Sequence, residues 1–471
     1  MKHLDHLLAA INHAVIVTDG VVHVQDENRL KAAMPFLAET AAVGDPPRKA
    51  LAQFLIRGAA LDLGIIPASI HDLYMARGRG EVAPTFTVPA MNLRTLPFLA
   101  ARMVFRNALA IEAGALIFEI ARSEIGYTDQ RPAEYAAQIL AAAIAEGVRG
   151  PIFIQGDHFQ ISPKRFAADA EAEVQAVRDL SREAIAAGFF NIDVDTSTLV
   201  DLSRPTIPEQ QTLNYELSAE LTAYIRSIQP AGVEVSVGGE IGEVGGHNST
   251  EPELRAYMDG YNAHLAEIAP GAAGLSKISI QTGTSHGGVV LPDGSIAKVK
   301  VDFDTLKHLS RVAREVYGMA GAVQHGASTL PEEMFSKFPE AEACEIHLAT
   351  NFMNILYNHM PADLKAEIYA YLREHHASER KPGMTDEQFY YKTRKRALGP
   401  FKKQIWALPE TVKAQVAADW DAQFRRLFQQ LRLEGTSQVV AQTVRPVEVA
   451  PRLQDYLGED SGVGDASDLA D

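Results

Sequence analysis

Eight short β-rich runs, each followed by a longer helical stretch, constrain this chain more than any other feature. They are TFTVPAM (85–91), ALIFEIA (115–121), PIFIQG (151–156), FFNIDVD (189–195), GVEVSVG (232–238), KISIQTG (277–283), AGAVQHG (320–326) and CEIHLA (344–349). Between them lie stretches rich in Ala, Leu, Glu and Arg, such as 132–147 and 170–188. Apolar runs alternating with helices read as βαβ units and a parallel sheet. Eight of them in succession predict a TIM (β/α)8 barrel over 84–358. A doubly wound open sheet has the same rhythm, and strand count alone does not separate the two. The long connection from Phe159 to about Ala168 reads as a lid over the third strand.

The flanking regions read differently. Residues 1–83 predict a helical N-terminal extension with one short apolar run, Ala14–Thr18. Residues 359–457 predict a helical C-terminal extension. Within it, 380–403 carries Arg380, Lys381, Lys392, Arg394, Lys395, Arg396, Lys402 and Lys403 against Asp386 and Glu387. Such a run is ordinarily a solvated helix face; the alternative is a cationic arm that reaches a phosphate. The tail 458–471 has five acids and no base and reads as disordered.

Composition excludes several classes. Lys+Arg is 44 against 60 Asp+Glu, a formal charge of −16. That argues against a nucleic-acid partner, which needs cationic surface to displace counterions. The single cysteine, Cys344, excludes an intrachain disulfide and a multi-cysteine metal site, whereas histidine is plentiful at fifteen copies. The N-terminal apolar run is broken by Asp5, His6 and Asn12, and the stretch 108–121 contains Glu112 and Glu119. Neither reads as a signal peptide or a membrane span, so the expectation is a cytoplasmic protein with no membrane partner.

Barrel active sites lie at the C-terminal ends of the strands, and polar residues concentrate there. The runs lead to Asn92, to Asp157 and His158, to Asp195, to Glu240, to His286, to His325 and to His347. His158, Glu240, His286 and His325 together form a metal-site donor set, since neutral imidazoles and a carboxylate suit Zn²⁺. Each histidine taken singly is more ordinarily a hydrogen-bonded core or rim side chain. Glycines beside them, as in SHGG and QHGAS, let a ligand approach closely. No lysine stands at these strand ends.

The ordered motifs VPAMN (88–92), QGDHF (155–159), GFFNIDVDTSTL (188–199), GGEIGEVGG (238–246), SHGGV (285–289) and QHGAS (324–328) resemble those of the class II, metal-dependent ketose-bisphosphate aldolases. The resemblance implies that His158, Glu240, His286 and His325 bind Zn²⁺ or another divalent metal. It makes Asp157 the acid/base at the C4 oxygen. Gly287, Gly326 and Ser328 would bind the ketose phosphate and a monovalent cation; Asn92 would support substrate and Asp195 would orient its partners. The implied reaction is reversible cleavage of a fructose or tagatose 1,6-bisphosphate-type ketose to dihydroxyacetone phosphate and an aldehyde, in a homodimer. A noncatalytic subunit, resembling the accessory subunit of tagatose-bisphosphate aldolase, is the alternative.

Three positions depart from that pattern. His247-Asn248-Ser249-Thr250 occupies the stretch where the family has its acidic enolising base, leaving His247 or Glu251 for the role. Strand eight reads His347-Leu348-Ala349-Thr350 in place of Asn-x-Asp-Thr, so His347 and Thr350 are its phosphate candidates. The family's serine after strand two aligns with Ala121. Arg122, His347 or the 380–403 segment would then compensate in the phosphate pocket.

Overall fold

The computed structural model describes residues 2–241, 247–283, 291 and 301–456. Its strands are β1 (Val15–Thr18), β2 (Val21–Val24), β3 (Ile65–Ala68), β4 (Val88–Asn92), β5 (Ile117–Ala121), β6 (Gly150–Gln160), β7 (Asn191–Asp195), β8 (Ser236–Glu240), β9 (Lys277–Ile280), β10 (Ala322–Gln324) and β11 (Glu345–Leu348). Strands β4 to β11 pair in chain order, all parallel, and β11 closes on β4. The eight predicted runs are the eight barrel strands. Helices cover the outside, so the strands are buried on both faces, with apolar side chains turned to the helices.

The N-terminal extension is not purely helical. β1 and β2 form an antiparallel hairpin, and β3 joins the barrel sheet as a ninth strand on the lower half of β6, pairing Ile65 with Gly150 through Ala68 with Phe153. β6 and β7 pair only from Gln155 and Asn191 onward, so β3 fills the seam beneath them. Asn191 fastens it: its amide donates to the Ala68 and Ile154 carbonyls at 3.1 and 2.9 Å and accepts from the Ile70 N–H at 2.9 Å. The helix His71–Gly78 then plugs the barrel floor, its buried Arg77 donating to the carbonyls of Phe86, Glu342 and Ala343.

The C-terminal helices pack on the barrel wall. Trp420 of the helix Glu410–Gln430 donates to the Phe352 carbonyl at 3.0 Å, and Phe424 meets the Phe352 ring at 5.0 Å. The basic segment is neither a plain solvated face nor a free arm. Arg394 lies over the rings of Tyr391 and Tyr357, at 4.3 and 4.8 Å. Arg380 pairs with Asp386, Arg396 with Glu379 and Lys402 with the buried Glu134. Arg380 and Arg396 pair within the extension, Lys402 ties it to the barrel, and Lys381, Lys392 and Lys403 are exposed. The tail 458–471 lies outside the described residues.

Candidate active site at the barrel mouth

β6 supplies two consecutive site residues because of a bulge. Between the pairs Gly156–Ile192 and Phe159–Val194, β6 has one residue more than β7. An extra residue breaks the in-and-out alternation locally, which lets Asp157 and His158 both serve the mouth. His158 takes φ +39°, a left-handed conformation of order 1 kcal/mol or more for a non-glycine residue. Gly156 is required beneath it, since a Cβ there would stand 2.4 Å from the Phe159 ring.

His158 is the hub. Its Nδ1 lies 3.1 Å from Asp195 Oδ2 and 3.4 Å from Glu240 Oε2, and its Nε2 lies 3.7 Å from Asp157 Oδ1. Its ring is 4.3 Å from that of His325, which is 4.1 Å from that of His347. His325 Nε2 lies 2.9 Å from Ser279 Oγ. Candidate ligand atoms of Asp157, His158 and His325 fall within 4.8 Å of one another, as do those of His158, Asp195 and Glu240. His158 is thus shared by two separate donor groups, one with Asp157 and His325 and one with Asp195 and Glu240. His286 and Gly287 lie outside the described residues.

Charge at the mouth is strongly coupled to burial. Burial alone would lower the pKa of His158, but Asp157, Asp195 and Glu240 hold it well above the usual imidazole value. Burial and the Asp195 charge push Glu240 up to about 7, against the pull of His158. Burial would raise Asp195 as well, but hydrogen bonds from His158, Ser197 and Gln160 bring it below its usual value.

A second polar layer lies directly below, and the sequence reading did not identify it. Residues two positions back along each strand share the inward face: Glu119, Gln155, Asp193, Lys277 and Glu345. All are buried. Lys277 Nζ lies 2.9 Å from Asp193, 2.5 Å from Glu345 Oε1 and 2.8 Å from Gln155 Oε1. Gln155 Nε2 donates to Glu119 and Glu345, both at 3.0 Å. Tyr74, from the floor helix, donates to Glu345 Oε2. Gly238 makes the room: a Cβ there would stand 2.3 Å from Asp193 Oδ1 and 2.8 Å from Lys277 Cε. Burial would lower the pKa of Lys277, but Asp193 and Glu345 raise it, so it is held as ammonium and is no amine nucleophile. For three of them the signal available was the period of two, read backward from Asp157, Asp195 and His347 to Gln155, Asp193 and Glu345.

The other predicted residues are placed as follows. Asn92 is buried and donates to Glu124, while its Oδ1 has no hydrogen-bond partner among the described residues. Gly326 takes φ +68° just after β10, Ser328 Oγ accepts from the Ala349 N–H at 2.7 Å, and Thr350 opens the helix Thr350–His359. His347 faces carboxylates: Asp157 and Glu119 at Nδ1, Glu345 and Asp193 at Nε2. His247 is exposed and contacts the Asn248 carbonyl. Glu251 is paired with Arg255 and His308, each at 2.7 Å. Arg122 is buried, 2.6 Å from both Glu173 and the Gln160 carbonyl. The 159–168 connection, read as a lid, comprises the end of β6, Ile161 and Ser162 bonded to the Asp195 carbonyl and Glu173, and the short helix Pro163–Ala168.

Among the described residues, no helix is long and apolar enough to cross a membrane. No curated protein matches the chain. Among solved structures, a probable tagatose 6 phosphate kinase from Sinorhizobium meliloti has the same fold. It aligns at 18% identity and a TM-score of 0.51, over 79% of this chain and 99% of its own. The fructose-bisphosphate aldolase of Campylobacter jejuni aligns at 14% identity and a TM-score of 0.44, over 79% of this chain and 96% of its own. The YdjI aldolase of Escherichia coli K12 aligns at 14% and 0.41, over 71% of this chain and 96% of its own. Residues 82–412 match the family described as fructose-bisphosphate aldolase class-II, running past the barrel into the C-terminal helices. The chain belongs to the class II fructose-bisphosphate aldolase family.

Proposed function

We propose that the chain is a metal-dependent aldolase, a carbon–carbon lyase that reversibly cleaves a phosphorylated ketose of the fructose or tagatose 1,6-bisphosphate type. The products are dihydroxyacetone phosphate and an aldehyde. The observation that supports this reading is that His158 joins two buried donor groups at the barrel mouth, one with Asp157 and His325 and one with Asp195 and Glu240, in a chain of this family.

Buried imidazoles and a carboxylate fit a borderline divalent cation such as Zn²⁺. His158, Glu240 and His325 would hold it, with His286 in the same series. When bound, such an ion supplies Lewis acidity at the C2 carbonyl and C3 oxygen, where cleavage leaves enediolate charge. Asp157 takes the C4 hydroxyl proton during cleavage and returns it during condensation. Asp195 fixes the His158 ring through Nδ1. Asn92 offers its open Oδ1 to a substrate hydroxyl. Gly326, Ser328 and Thr350 hold the ketose phosphate beside the amino end of Thr350–His359, where backbone N–H groups favour an anion. Gly287 and a monovalent cation complete that set in this reading. Of the two candidate bases for enolising dihydroxyacetone phosphate, Glu251 is engaged by Arg255 and His308, which favours His247. A cytoplasmic homodimer acting on small phosphorylated sugars in glycolytic carbohydrate metabolism is the accompanying expectation.

The test is one preparation assayed twice: for metal content, then for cleavage of fructose and tagatose bisphosphates with and without chelator. The expected result is stoichiometric divalent metal and chelator-sensitive cleavage. Absence of bound divalent metal overturns the site; metal without cleavage of any ketose phosphate favours a noncatalytic subunit or an altered substrate.

A further inference from the structure

His347, where the chain departs from the family pattern, is a candidate for a substrate phosphate, but its surroundings are hostile to one. Its Nδ1 lies 3.1 Å from Asp157 Oδ1 and 3.2 Å from Glu119 Oε2. Its Nε2 lies 2.7 Å from Glu345 Oε1 and 3.7 Å from Asp193 Oδ2. The side chain is only 5% exposed. A dianionic phosphate brought to this ring would meet four carboxylates in a poorly solvated interior, and the nearby cation, Lys277, is already paired with two of them.

We infer that His347 is a positioning residue for Asp157, tying its carboxylate to the fixed charge network of the barrel floor. The inference rests on the reading of Asp157 as the acid/base. Both ring nitrogens face carboxylate oxygens on opposite sides, so rotating the imidazole breaks two contacts at once. Glu345, on the lower side, is itself immobilised by Lys277, Gln155 and Tyr74. The chain Tyr74–Glu345–His347–Asp157 therefore runs from the floor helix to the mouth, and every link is buried. Asp157 lies in the bulge of β6, where its backbone still pairs with Ala121 of β5 while the ladder to β7 is interrupted. A consequence is that β11 contributes no phosphate ligand before Thr350, so the ketose phosphate depends on the Gly326–Ser328 turn and the helix start.

The test uses the full-length, metal-loaded protein and two variants, His347→Gln, which preserves bulk, and His347→Ala. Crystal structures of both are expected to show the Asp157 carboxylate turned from its wild-type orientation, with His158, Glu240 and His325 unmoved and metal stoichiometry retained. With a ketose bisphosphate that the wild type cleaves, kcat is expected to fall about 10- to 100-fold, the scale of a misplaced catalytic group, while KM stays within about twofold. A KM that rises with kcat unchanged would restore His347 as a phosphate ligand and overturn the inference. So would loss of metal, or an Asp157 orientation unchanged in the variant structures. If the wild type cleaves no ketose phosphate, the functional reading fails on its own, and the orientation of Asp157 still decides the positioning claim. Should His347→Ala not fold, His347→Gln carries both measurements.

Discussion

His158 Nδ1 stands 3.1 Å from Asp195 Oδ2, and Asp195 is held in turn by Gln160 and by both the backbone N–H and the hydroxyl of Ser197. A carboxylate behind an imidazole fixes its tautomer and raises its basicity as a ligand. Asp195→Asn is therefore expected to weaken divalent-metal affinity by about 10- to 100-fold while leaving the barrel folded. Metal titration calorimetry beside circular dichroism measures both; an unchanged affinity would remove Asp195 from the support of His158.

Metal uptake should release protons and strengthen with pH. Glu240 is pushed up to about 7, and His158 is held well above the imidazole range. Both must lose a proton to act as ligands. Affinity is thus expected to rise between about pH 6 and 8, with proton release visible as a dependence of binding heat on buffer ionisation enthalpy. The metal-free protein is expected to show the linked effect. Glu240 and Asp193 (at about 6) both titrate above their ordinary carboxylate values. Their favourable contribution is complete below those ordinary values and is lost as pH rises through 6 and 7. The metal-free Tm should fall across that window, and less so in Glu240→Gln; a flat profile in the wild type would contradict the assignment.

The floor layer gives a stability prediction. Lys277→Met leaves Asp193 and Glu345 buried without their cation, a change that typically costs about 3–5 kcal/mol. Gly238→Ala attacks the same pair from the opposite side, because its new Cβ would overlap Asp193 Oδ1 and Lys277 Cε. Urea denaturation of both variants should show loss of stability. Wild-type midpoints would mean that the ion pair relaxes freely, against its burial.

The barrel was legible because short β-rich runs recur between longer helical stretches, and because polar residues follow at their ends. β3 escaped notice because Ile-Ile-Pro-Ala is short and contains a proline, and because its pairing partner, Gly150–Phe153, is the far end of a strand whose upper half carries the motif. Asp157 and His158 were identified as neighbours, but the bulge that lets both reach the mouth is a property of pairing with β7 and has no local signature beyond Gly156. The basic segment misleads in one dimension: Arg394, Arg396 and Lys402 look like a cationic run, yet their partners Tyr391, Glu379 and Glu134 are fixed only by the fold.

Arg122 offers a discriminating case, since it stands one residue past the strand-two position where the family's serine is replaced by Ala121. The guanidinium is held by Glu173 and the Gln160 carbonyl, and Glu173 also accepts the Ser162 N–H. Arg122→Gln would leave a buried carboxylate uncompensated and loosen the end of β6 together with the start of the following helix. The expected cost is about 3–5 kcal/mol in denaturant unfolding, with KM for a ketose phosphate little changed in the folded fraction. A stable variant with a sharply raised KM would instead place Arg122 on the phosphate, and would require the Glu173 pair to open when substrate binds.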